Sequence, residues 1–156
     1  MLGRAITAGL IGAVVMSVVM AVARAFGLSL QFEMLLGTAF GLGGRSAWFS
    51  GYALHAALGM LFAVGYAAVF QRVMHRASAA LGAALGVAHA CIAGVALALV
   101  PAIHPEVPGA YPAPGPFMAS FGASGVIVFV LAHVLFGAIV GYGCTARRPE
   151  IARQYA

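Results

Sequence analysis

The sequence predicts an all-α integral membrane protein: one domain, residues 1–156, folded as a bundle of four transmembrane helices with a short interfacial or re-entrant segment in its first outer loop. Three observations carry that reading. Apolar residues make up 63% of the chain and charged residues only 7%, against about 25% charged in an ordinary soluble domain. Four apolar stretches each supply the roughly 20 residues needed to cross a bilayer core. Arg24 apart, the arginines fall outside those stretches rather than within them.

The first stretch, Ala5–Phe26, follows the short basic start Met1–Arg4 and contains Ala21-Val-Ala23. A cleaved signal peptide is the alternative, against which the length argues, because a signal h-region spans only about 7–15 residues. The second stretch is Gly51–Phe70, with Trp48, Phe49 and Tyr52 at its outer interface, where amphipathic rings prefer to sit. The third is Ala79–Val100 and the fourth Gly122–Cys144. Between the first two, Leu28–Ala47 carries Phe32, Met34, Leu35, Leu36 and Phe40, too apolar for a free loop and too short to span. It is expected to lie in the interface as a short helix or to re-enter as a turn packed on the bundle. Between the last two, Pro101–Pro116 holds six of the seven prolines and should form a stiff, extended cap.

Arginine placement orients the bundle. Arg4, Arg72, Arg76, Arg147, Arg148 and Arg153 share one side of a four-crossing chain, while Arg24 and Arg45 occupy the other. The positive-inside rule then puts both termini in the cytoplasm of a bacterial inner membrane. The net charge of +5 comes from eight arginines against three glutamates, with no lysine or aspartate. It is lipid-facing charge, and no basic cluster with interleaved aromatics points to nucleic acid.

Small residues recur every fourth position: Gly9, Ala13 and Ser17; Gly59, Ala63 and Ala67; Gly82, Gly86, Ala90 and Gly94; Gly137 and Gly141. Such rows let helix backbones approach closely, within the bundle or between copies in a homo- or hetero-oligomer. A repeat is also visible, with His55-x-x-x-Gly59 followed by Gly65-Tyr66, and His133-x-x-x-Gly137 followed by Gly141-Tyr142. Cys91 and Cys144 should differ in depth by more than about 10 Å, too far for a disulfide, so both read as small apolar fillers.

Function hangs on the histidines. Counting from Arg76, Arg147 and Arg72, His89, His133 and His55 lie roughly 20, 21 and 25 Å deep at about 1.5 Å per residue. Polar groups at such depth are costly and face a partner or a cavity. Three readings stay open. His89 and His133, with His55 close by, could ligate a haem b, with Gly86, Gly94 and Gly137 making room for the macrocycle. His55, His104 and Glu106 could hold a transition metal nearer the outer surface. Alternatively each ring makes one interhelical hydrogen bond, or lines a proton or substrate pathway. His75, beside Arg72 and Arg76, reads as a solvated interfacial residue.

Other chemistry lacks its parts. Glu33, Glu106 and Glu150 do not form a carboxylate pair across the membrane, Ser120 and Ser124 have no base beside them, and no glycine loop ends in lysine. The loop carboxylates leave no membrane-embedded acid of the kind proton-driven transporters use. The segments Ile103-His-Pro-Glu106, Pro114-Gly-Pro-Phe117 and His133-x-x-x-Gly137-x-x-x-Gly-Tyr142 resemble those of uncharacterised small four-helix prokaryotic membrane proteins, which implies the fold and no activity. The expectation is a lipid-embedded, non-catalytic accessory or interaction subunit. A haem- or metal-binding electron-transfer bundle and a small transporter or channel component are the alternatives.

Overall fold

The computed structural model describes residues 1–145, so Arg147, Arg148, Glu150 and Arg153 lie outside the described residues. Among the described residues six α-helices follow in order: α1 Leu2–Ala25, α2 Phe32–Thr38, α3 Gly44–Val69, α4 Ala79–Leu97, the single turn α5 Val100–Ile103, and α6 Gly122–Cys144. A π-turn, Phe70–Met74, extends α3, and a 3-10 turn, Pro116–Phe121, leads into α6. Among the described residues, α1 and α4, together with α3 and α6 each lengthened by its adjoining turn, give four helices long and apolar enough to cross a membrane. The protein is therefore a multi-pass membrane protein, with α2 as a short helix between the first two crossings.

Each boundary has a local cause. α1 stops at Gly27, whose φ of +90° a side chain would resist. The Leu28 amide then bonds the Ala23 carbonyl and the Gly27 amide the Arg24 carbonyl, both at 3.0 Å, the Schellman pattern that satisfies the last turn. α4 begins at Ser78, whose side chain accepts from the Leu81 amide at 3.2 Å. At the same end of the bundle as Ser78, Arg4 caps α6, donating to the carbonyls of Gly143 (2.9 Å) and Thr145. A cation there also complements the negative end of the helix dipole.

Lipid gives helices no hydrophobic reason to meet, so close backbone packing has to do it. The small-residue rows serve this inside one chain. α1 crosses α3 with Gly9 against Gly59, where an added Cβ would come within 2.5 Å of the Gly59 carbonyl. α4 crosses α6 with Gly82 against Gly137 and Gly86 against His133, where a Cβ would overlap backbone oxygen. α1 and α6 join the two pairs, Gly12 receiving the Phe136 ring, so the lateral order is α3, α1, α6, α4. Across the remaining α3–α4 side, long side chains bridge: Phe62 and Tyr66 reach the His89 ring.

Two expectations need correction. The second crossing begins at Gly44, not Gly51, so Trp48 and Tyr52 stand about one and about two turns inside α3 rather than at its start. The proline segment is not extended throughout. Pro101 sits in the first turn of α5, where its missing amide is no loss, and Pro116 opens the 3-10 turn. Cys91 is exposed on α4 and Cys144 buried, both as free thiols, and His75 is exposed at the end of the π-turn.

Candidate functional site

α2 is packed onto the bundle. It lies against the first half of α3 so tightly that a Cβ at Gly37 would strike the Ala47 carbonyl and one at Gly51 the Glu33 carbonyl. That approach carries Glu33 into the protein, where its side chain is 0% exposed. The reading of Glu33 as a loop carboxylate is overturned. Its physical error was to treat Glu33 as loop, although an acid framed by Phe32, Met34, Leu35 and Leu36 has to follow its neighbours inward.

Arg24, in the last turn of α1, turns inward to meet it. Nη1 donates to the Leu30 carbonyl at 2.7 Å and to Glu33 Oε2 at 3.3 Å, while Nη2 donates to the Tyr52 hydroxyl at 3.4 Å. The guanidinium also lies 5.1 Å from the centre of the Trp48 ring, a cation–π contact. One carboxylate oxygen is thus paired with a cation. The other, Glu33 Oε1, is buried with no hydrogen-bond partner among the described residues. His55 Nδ1 lies 3.9 Å from it and 3.0 Å from Ser17 Oγ. An unpaired buried oxygen costs free energy, and nearly all such groups in folded proteins are satisfied.

Phe32, next to Glu33, closes the cluster from outside. Its ring meets His55 edge to face at 5.3 Å, and the residue also lines a cavity of about 290 Å³ walled by Leu35, Tyr111, Pro112, Met118 and Phe121. The loop over this cavity is fastened to α2 by His104. Its Nε2 lies 2.9 Å from the Leu35 carbonyl and 3.4 Å from Thr38 Oγ1, and its Nδ1 accepts from the Glu106 amide at 3.1 Å. Both ring nitrogens are engaged in that arrangement.

Among the described residues, no three His, Cys, Asp or Glu side chains converge as a metal-ligand set. His55, His104 and Glu106 are therefore not brought together as one. His89 and His133 do meet, with ring centroids 4.9 Å apart and planes near perpendicular. Axial haem ligands present nitrogens to opposite faces of a macrocycle; rings in direct contact leave no layer for one. The glycines expected to make room do not, because the Gly86 and Gly137 gaps hold backbone from the facing helix and the Gly94 gap holds the Phe117 ring. His133 Nδ1 donates to the Phe129 carbonyl at 2.8 Å, and His89 Nδ1 lies 3.4 Å from the Tyr66 hydroxyl. Both rings belong to an aromatic column that runs Phe117, Phe129, His133, His89, Tyr66, Phe70.

The sequence reading placed His55, His89 and His133 deep and, by the small-residue rows, aimed His55 and His133 inward; those two are buried while His89 is half-buried. It missed Glu33, Arg24 and Ser17. The available signals were an acid inside an apolar run and an arginine inside an apolar stretch, each in want of a partner. No family model, curated protein or solved structure matches the chain.

Proposed function

We propose that the protein handles protons inside the membrane, as a small proton-linked carrier or channel component, with Glu33 and His55 as the exchanging pair. One observation carries this reading: a fully buried carboxylate oxygen without a hydrogen-bond partner among the described residues, 3.9 Å from an imidazole nitrogen. Ionisable groups held inside a membrane protein are expensive and mark ion or proton pathways by default. Arg24 holds Glu33 Oε2 in place, and Oε1 is left to trade a proton with His55, which Ser17 orients. The reading favours transport over a packing-only accessory role, because the small-residue rows that suggested partners face one another within the chain.

The bundle sits in a bacterial inner membrane with both termini cytoplasmic. Arg4, Arg72 and Arg76 lie toward the end that carries Met1, where the Gln71 amide donates to the Met1 sulfur at 2.7 Å. At the opposite end Glu33 offsets Arg24, which sharpens the charge asymmetry the positive-inside rule reads.

Liposomes containing the protein and an entrapped pH dye test the function. Under an imposed potassium diffusion potential, wild type should acidify the lumen faster than empty liposomes. Glu33→Gln and His55→Gln should fall to the empty-liposome rate, with thermal midpoints recorded to show folding. A wild-type rate equal to that of empty liposomes overturns the reading.

A further inference from the structure

His104 lies on the loop between α5 and the 3-10 turn, buried, with a backbone partner at each ring nitrogen. Those partners fix the direction of both bonds. The Leu35 carbonyl, 2.9 Å from Nε2, can only accept, and the Glu106 amide, 3.1 Å from Nδ1, can only donate. The ring is therefore held neutral, with its hydrogen on Nε2. Thr38 agrees with that tautomer. Its hydroxyl donates to the Met34 carbonyl at 2.9 Å, which leaves its oxygen, 3.4 Å from Nε2, to accept.

A second proton has no place in this arrangement. It would sit on Nδ1 and face the Glu106 N–H, so one bond is lost and two donors are opposed. No carboxylate is placed to take up the new charge, because among the described residues none lies within ion-pair distance of the ring. On α2, Glu33 is turned toward Arg24. On the loop, Glu106 meets the ring through its amide, and Tyr111 lines the neighbouring cavity. Arg45, in the first turn of the α3 on which α2 packs, is exposed.

The ring joins the two walls of that cavity. Phe32 and Leu35 of α2 form one side, and Tyr111, Pro112 and Pro114 of the loop form the other. Among the described residues, His104 makes the only hydrogen bonds between segment 104–114 and α2. The turn behind the ring is wound on the same residue that the ring engages, since the Glu106 carbonyl accepts from the Ala110 and Tyr111 amides at 2.8 and 3.0 Å. Losing the Glu106 contact thus loosens the wall that carries Tyr111.

We propose that His104 is a pH-sensitive latch: neutral, it holds the proline loop on α2, and its protonation frees the loop and widens the cavity toward Phe32. The latch stands on its own bonds and not on the proton-handling reading. Where both hold, acid on the side opposite the termini opens the approach to Glu33 and His55.

Leu35→Cys reads the latch, because its half-buried side chain lines the cavity while its carbonyl stays in the backbone. The full-length protein, with Cys91 and Cys144 replaced by alanine, is labelled in nanodiscs with a hydrophilic thiol reagent at about pH 7.5 and about pH 5.5, either side of the range in which histidines titrate. Comparing variants at one pH cancels the chemistry of the thiol. At the higher pH, His104→Ala should label roughly two- to tenfold faster than the His104 protein, the worth of one hydrogen bond. At the lower pH the two rates should converge. His104→Gln, which keeps a donor for Leu35 and does not titrate, should show no such acceleration, and Glu106→Gln should leave it in place. Thermal midpoints confirm folding. Equal rates for the His104 and His104→Ala proteins at the higher pH, or a rate gap that persists at the lower, overturn the latch. So does an acid response that survives in His104→Gln or vanishes in Glu106→Gln. Acid-driven labelling in a protein that passes no protons into liposomes upholds the latch and removes the proton-handling reading; flux without acid-driven labelling does the reverse.

Discussion

Gly51 lies directly under the Glu33 carbonyl, and even a methyl group there would overlap that oxygen. The absence of a side chain at one position of α3 is thus what admits α2, and with it the buried acid. Gly51→Ala should force α2 outward and cost about 1–3 kcal/mol of stability, the usual range for overpacking. The check is thermal unfolding in detergent together with proteolysis of the α2 segment. Unchanged stability would mean that α2 moves without loss and does not hold Glu33.

A second close approach joins α4 to α6 at Gly82 and Gly137. Gly137→Leu should separate the two helices and lower stability by at least about 1–3 kcal/mol. Gly65, with open space beside it, is the control position: Gly65→Ala should be near neutral by the same measurement.

Phe32 stands between the outer cavity and His55. Phe32→Ala should let water reach the cluster. With Cys91 and Cys144 replaced by alanine, Ser17→Cys should then react severalfold faster with an impermeant thiol reagent than it does with Phe32 intact. Equal rates would show that access to Ser17 does not pass Phe32.

The ring contact between His89 and His133 has a spectroscopic consequence. Protein purified from haem-replete cells should show no Soret band, and His89→Ala should leave its visible spectrum unchanged. A Soret band lost in that variant would show the two rings parting to admit a macrocycle.

Topology is testable in cells. In a background with Cys91 and Cys144 replaced, Ala113→Cys should label with an impermeant thiol reagent from outside. Arg148→Cys should label only after the membrane is opened. Labelling of the second site in intact cells would reverse the orientation.

The crossings were legible because hydropathy over about 20 residues depends on no partner. The fourth was read as Gly122–Cys144 and is found as Gly122–Cys144. The second was read as starting at Gly51 but starts at Gly44, because Arg45 and Ser46 look like loop while helix continues above the apolar core. Burial of His55 and His133 was legible for a related reason, since both share a helix face with glycines. The site itself was not. Glu33 and Arg24 meet through a docking of α2 that depends on Gly37 and Gly51. Whether a glycine is space-filling or merely tolerated is decided by what faces it, which periodicity along one helix does not contain.

The His104 latch sets a timetable for synthesis. The ring that ties down α2 lies 69 residues beyond the Leu35 carbonyl it bonds. At ordinary elongation speeds of about 5–20 residues per second, α2 waits roughly 3–14 s for its fastening to be made. During that interval the α1–α3 hairpin can already be in the bilayer, holding the acid and its arginine without their roof. The N-terminal half of this protein is therefore born with its most polar interior open, and the ribosome finishes the third crossing before the first two can close.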